Sequence, residues 1–286
     1  VNYARQRVQG IDLLKIFDHN PKKVSIINHP DVRRQLLSMK AYVDGMRALI
    51  YYTALCFDKH KTATNTEEKE KYSGLIELLT PIMKAYCTDR AFEICTQGVQ
   101  VFGGYGFIQE FPQEQLLRDC KITSIYEGTN GIQSMDLLGR KLGFKKGKPF
   151  VDLLGEMNKT IAAAKKIEHL EKSAVKVELA VIKLGEVAMH MGMTAMSEKV
   201  LDAFATAQPF LDVTGDVCLS WFELWRSVTA AEKIEKAKKK DKAFYQGQLK
   251  TAEYFIDWIL PSTMGKMDAL INTIPSIMAM PDAAFG

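Results

Sequence analysis

Long apolar runs are missing from this 286-residue sequence. None reaches the roughly 18–20 residues a helix needs to cross a membrane, so no span is expected. Cysteine is sparse and unpatterned. Cys56, Cys87, Cys95, Cys120 and Cys218 make an odd set with no CxxC spacing. That argues against a disulfide framework and against a structural zinc site, and no metal is expected. Several of the five lie in apolar stretches, which predicts buried, reduced thiols in a cytoplasmic protein. Charge of one sign is not segregated either. The 38 Lys and Arg against 34 Asp and Glu give a net charge of +4. Nothing there builds a nucleic-acid face. The run Lys236–Lys242 reads as a solvated helix end. Strand-type alternation, internal repeats and low-complexity tracts are absent too. No signal peptide is evident. The first residues are Val1-Asn2-Tyr3, already in a helical pattern. The expectation is a piece of a longer protein.

What is present is helical periodicity. Apolar residues at Val32, Leu36, Met39, Val43, Met46, Ile50 and Leu55 step by threes, fours and one five. They mark one face of a helix over 31–61, with Pro30-Asp31 as its start signal. A second long helix is expected over 67–101, kinked or split by Pro81 near Thr80. After the glycine-rich Gly103-Gly104-Tyr105-Gly106, a short helix follows Pro112, and another runs to about Arg140. The Gly, Lys and Pro of Gly143–Pro149 suggest a domain boundary. Beyond it, helices are expected over 150–171, 174–208, 213–240 and 242–259, the last stopping at Pro261. The fold class is therefore all-α: an up-and-down four-helix bundle over 1–145, then a second helical bundle over 146–286.

Four segments could carry chemistry. Glu127 in Ile125-Tyr126-Glu127-Gly128-Thr129-Asn130 is a carboxylate on a turn before a helix. Gly128 lets the turn tighten and Thr129 or Asn130 can cap the helix. By itself it also reads as a helix-start acid. The glycines of Gln100-Val101-Phe102-Gly103-Gly104-Tyr105-Gly106-Phe107 allow close approach to the backbone, or simply stop a helix. They form neither a dinucleotide fingerprint nor a phosphate-binding loop ending in Lys-Ser/Thr. Leu117-Arg118-Asp119 reads as a structural ion-pair hub. In Tyr3-Ala4-Arg5-Gln6-Arg7, an Arg can be surface charge or grip a phosphate.

In this order and spacing the four segments resemble the C-terminal domain of acyl-CoA dehydrogenases, over roughly residues 1–142. Phe244-Tyr245-Gln246-Gly247, Tyr254–Trp258 and the closing Pro281–Phe285 resemble an extra helical domain on a long bacterial branch. The methylmercaptopropionyl-CoA dehydrogenases belong to that branch. The resemblance implies FAD, an acyl-CoA substrate, oxidation to the 2-enoyl-CoA and an electron-transfer flavoprotein as acceptor. It also implies a homodimer or homotetramer with a shared cofactor site. It makes Glu127 the catalytic base, with Gly128 beside the substrate. It assigns Arg7, Gln100, Val101, Phe102, Gly103, Gly104 and Thr129 to the cofactor. Three positions depart from the pattern. Gly10 replaces an aromatic residue, Pro30 follows His29 where a Gln often stands, and Gly131 replaces another Gln. The alternatives are an acyl-CoA oxidase and a helical assembly module without catalysis of its own. The flavin-holding sheet is not evident in the chain, so the chain alone is expected to be inactive. His169 and His190 read as structural.

Overall fold

The computed structural model describes residues 1–272 and 276–286. Helix α1 (Asn2–Gln6) is followed by two short strands, β1 (Val8–Ile11) and β2 (Lys23–Ser25). The two long helices are α2 (Pro30–Thr62) and α3 (Thr66–Phe102). Then come α4 (Gly104–Phe107), α5 (Gln113–Lys121), α6 (Asn130–Asp136), α7 (Lys148–Ala164) and α8 (Glu171–Ala195). The last are α9 (Val200–Ala205), α10 (Ala207–Ile234), α11 (Lys239–Tyr254), α12 (Leu260–Ile271) and α13 (Ser276–Ala279). Among the described residues the fold is all-α apart from one antiparallel pair. By contacts, residues 1–43 and 88–126 make one unit, and 44–87 with 127–286 make another. Both long helices contribute to each.

In the first unit, β1 pairs with β2, with Val8 opposite Ser25 and Ile11 opposite Lys23. This corrects the expectation of no strands. Runs of four and three residues are too short to show a two-residue period, and Gly10 in the left-handed region (φ +73°) interrupts the first. The His29 ring lies 2.7 Å from the Gln9 carbonyl, and Ile26 N–H donates to the Arg7 carbonyl at 2.8 Å. A small core of Ala4, Ile26 and Val101 joins α1 to the end of α3.

The second unit is built around α10. From Leu211 to Leu224 nearly every side chain is buried, so the helix is covered on all sides. It packs against α6, α7, α8, α11 and α12. Several of its buried polar groups are paired. Asp216 accepts from Tyr86 Oη at 2.5 Å and from Thr263 Oγ1 at 2.8 Å, and Trp221 Nε1 donates to Thr160 Oγ1 at 2.8 Å. Gly215 exists for Tyr86. A β-carbon at position 215 would lie 2.0 Å from the Tyr86 ring. Gly215→Ala should therefore destabilise the chain by about 1–3 kcal/mol. In urea this is a lower midpoint at unchanged slope, and an unshifted midpoint would contradict the packing account.

Several expected boundaries move. Pro81 does not split α3, which runs unbroken through it. The ring is buried, and Thr80 Oγ1 donates to the Ile76 carbonyl at 2.7 Å. Packing outweighs one missing hydrogen bond. The helix expected over 174–208 ends at Ala195, where Ser197 Oγ bonds Thr194 O and Lys199 N in a polar turn. No Gly or Pro announces that break. Nor does Pro261 stop the chain. A π-turn over Phe255–Ile259 leads into α12, where Pro261 occupies the first turn and needs no N–H. The lysines of the Lys236–Lys242 run are exposed, on the connection after α10 and on the first turn of α11.

Of the five thiols, Cys56 and Cys218 are buried while Cys87, Cys95 and Cys120 are only half-buried, a correction to the expectation of burial. Burial pushes Cys87 and Cys218 up to about 12. Among the described residues no helix is long and apolar enough to cross a membrane, and no cluster of three or more His, Cys, Asp or Glu could hold a metal.

Candidate functional site

The glycine-rich segment closes α3 in the first unit. Gln100 O accepts from Gly103 N–H at 3.1 Å, and Gly103 then takes φ +61°. A β-carbon at Gly103 or Gly104 would meet nothing within 4 Å. The backbone there faces open space, as a surface built for close approach would. Gly106 is glycine for another reason. A β-carbon would strike the Val99 carbonyl at 2.6 Å.

Helix α1 brings Arg7 to this loop. Tyr3 stacks on Phe102 with ring centroids 4.1 Å apart, and its hydroxyl donates to Phe102 O at 3.2 Å. The half-buried Arg7 guanidinium lies 5.1 Å over the Tyr105 ring. It has no ion-pair partner among the described residues. A fixed, unpaired guanidinium beside open glycine backbone suits a phosphate group. Gln100 is exposed. The Val101 side chain fills the small core, so any contact it makes with a ligand would come from its backbone. The residues present fit a phosphate-bearing cofactor.

The turn carrying Glu127 opens the second unit. Glu127 (φ +54°) and Gly128 (φ +85°) are consecutive left-handed residues. For a non-glycine residue this conformation costs about 1–2 kcal/mol, which marks Glu127 as strained. Its carboxylate is exposed. Thr129 Oγ1 accepts from Ile132 N–H at 3.3 Å and caps α6. Lys84, which sequence reasoning missed, and Asn130, which it named only as a possible cap, hold the turn. Lys84 Nζ donates to the Gly128 carbonyl at 2.7 Å and to Asn130 Oδ1 at 2.9 Å. Buried Asn130 in turn donates to Ala85 O at 3.1 Å. The N–H groups of Glu127 and Gly128 have no acceptor among the described residues.

Arg118 and Asp119 are both exposed on α5, and neither forms an ion pair among the described residues. That corrects the ion-pair hub. Adjacent helix positions do not face each other.

Two family models match. Residues 18–142 match "Acyl-CoA dehydrogenase, C-terminal domain" and residues 153–281 match "Acetyl-CoA dehydrogenase C-terminal like". The chain belongs to the acyl-CoA dehydrogenase family. It is 32% identical to a butyryl-CoA dehydrogenase of Syntrophomonas wolfei over 99% of this chain and 46% of that protein. It is 35% identical to the 3-methylmercaptopropionyl-CoA dehydrogenase of Ruegeria pomeroyi over 97% of this chain and 46% of that protein. The chain thus spans about half the length of these curated relatives. The fold is also that of Caenorhabditis elegans ACDH-11 solved in complex with C11-CoA. There the TM-score is 0.70 at 18% identity, over 89% of this chain and 38% of that one.

Proposed function

We propose that this chain is the base-bearing part of an FAD-dependent dehydrogenase that converts an acyl-CoA thioester to the 2-enoyl-CoA. The observation that carries the reading is the strained, anchored turn at Glu127, in a chain of this family. The Glu127 carboxylate takes the α-proton of the thioester and becomes a carboxylic acid. Negative charge develops on the thioester oxygen, and the unpaired N–H groups at Glu127 and Gly128 are donors available to it. Bound FAD would supply the acceptor for the β-hydride. Arg7 would meet its pyrophosphate, Gln100–Gly104 would pass along it, and Thr129 would touch the flavin. Electrons then go to an electron-transfer flavoprotein, and the working enzyme is a homodimer or homotetramer. The 286-residue chain alone is inactive and colourless.

The test uses the longer polypeptide that contains this chain, with a panel of acyl-CoAs. The expected result is 2-enoyl-CoA formed with an electron-transfer flavoprotein as acceptor. No product from any acyl-CoA would defeat the proposal. Hydrogen peroxide made in place of flavoprotein reduction would select the oxidase reading.

Lys84 extends the account. With its ammonium removed, the Gly128 carbonyl loses its anchor and the base drifts. Misplacement by about 1 Å costs up to roughly 100-fold. Lys84→Met should thus lower kcat about 10- to 100-fold with KM little changed, and Lys84→Arg should recover part of it. Equal loss in both variants would mean that Lys84 serves only folding.

A further inference from the structure

Helix α5 lies against the last part of α3 within the first unit, and two thiols meet between them. At one end of the contact Gln113 sits on Gly98. A β-carbon at Gly98 would come 2.4 Å from Gln113 Nε2, and that amide donates to the Cys95 carbonyl at 3.1 Å. At the other end the Lys121 ammonium is 4.9 Å over the Phe92 ring. On α3, Phe92, Cys95 and Gly98 step by threes. On α5, Gln113, Leu117 and Cys120 step by four and then three, and Cys120 adjoins Lys121. Residues at such steps are neighbours on a helix surface. The antiparallel register set by the two end contacts therefore carries Cys120 to Cys95, and the two side chains interact directly.

This pair differs from the other cysteines. Among the described residues none of Cys56, Cys87 and Cys218 faces a second thiol. Cys95 and Cys120 are both half-buried, so a small oxidant can reach them. Cys120 Sγ donates to the Leu117 carbonyl at 3.2 Å, which holds its side chain in place. A disulfide needs a close approach of the two backbones, with Cα atoms about 4.4–6.8 Å apart. Gly98, bare of a side chain where Gln113 packs, favours that approach.

We propose that Cys95 and Cys120 form a reversible oxidation site, at which hydrogen peroxide joins them in a disulfide that fastens α5 to the end of α3. Cys120 reacts first, because burial pushes the Cys95 thiol up to about 11 and keeps it protonated. The Cys120 sulfur attacks one peroxide oxygen. The O–O bond breaks, the S–O bond of a sulfenic acid forms, and the departing hydroxide takes the Cys120 proton to become water. The Cys95 sulfur then displaces hydroxide from the Cys120 sulfur. The S–S bond forms, and the Cys95 proton leaves with the second water. Two thiols are oxidised and one peroxide is reduced to two waters. The ring so closed contains the whole glycine-rich loop, and Cys120 stands just before the Ile122–Ser124 turn that leads to Glu127.

The test is peroxide treatment of both the 286-residue chain and the longer polypeptide. Remaining thiols are then alkylated, and the protein is digested with trypsin without reductant for mass spectrometry. The expected result is a loss of about 2 Da before alkylation. Peptides 91–118 and 119–121 should be joined, and dithiothreitol should separate them. Cys95→Ser should form no disulfide and should leave a Cys120 sulfenic acid that dimedone traps. Cys120→Ser should leave Cys95 unlabelled by dimedone. Peptides that stay separate with both thiols alkylated overturn the proposal, as does a disulfide that survives Cys95→Ser. A bond that forms in the 286-residue chain and never in the longer polypeptide overturns it too. Dimedone on Cys95 in the Cys120→Ser variant, with none on Cys120 in the Cys95→Ser variant, overturns the order of attack.

Discussion

Replacing Glu127 by Gln in the longer enzyme should lower kcat by about 10²- to 10⁴-fold, the range set by loss of a positioned general base. The substitution keeps size and shape and removes only the capacity to accept a proton, so KM should change little. Glu127→Gly separates catalysis from stability at the same position. The left-handed backbone (φ +54°) that strains glutamate suits glycine. This variant should gain about 1 kcal/mol of stability while losing turnover as fully as the Gln variant. A stabilised, inactive Gly variant and an inactive Gln variant together assign the strain to the base. Wild-type turnover in either would remove Glu127 from the mechanism.

The largest effect on stability is expected at Arg226. Its guanidinium donates to Glu223 Oε1 at 2.5 Å and to Asp44 Oδ2 at 2.7 Å, and it also bonds the Gln248 amide oxygen. Glu223 is completely buried, and Asp44 and Arg226 are only 17% and 20% exposed. Arg226→Met keeps the length of the side chain and takes away the cation that both carboxylates share. Breaking a buried ion pair by removing one partner costs about 3–5 kcal/mol. Urea unfolding of the chain should show a loss in that range. Arg226→Lys should recover only part of it, because an ammonium cannot reproduce the two-pronged contact. A loss below about 1 kcal/mol would mean that water reaches and solvates the two carboxylates.

The long helices were legible because their apolar faces repeat over many turns. Helix α2 begins at Pro30 and ends at Thr62, within a residue of the expected limits, and α3 is as close. What escaped lacked either length or a local signal. The β1–β2 pair is too short for a period. The end of α8 is set by Ser197 and its backbone bonds. The effect of Pro81 depends on packing that sequence does not show. The same division holds at the candidate site. Glu127, Gly128 and Thr129 are contiguous, so type and order point to them directly. Lys84 is 44 positions from Gly128 and looks like any half-exposed lysine on a helix. Only the fold joins them. The adjacency of Arg118 and Asp119 suggested a pair that helix geometry keeps apart.

The most direct test of Glu127 is exchange of the substrate's α-proton. The longer enzyme, incubated in D2O with an acyl-CoA that cannot lose a β-hydride, should wash deuterium into the α-position. Glu127→Gln should abolish that exchange while still binding the thioester. Exchange at the wild-type rate in the Gln variant would show that another group takes the proton, and the account of this turn would be wrong.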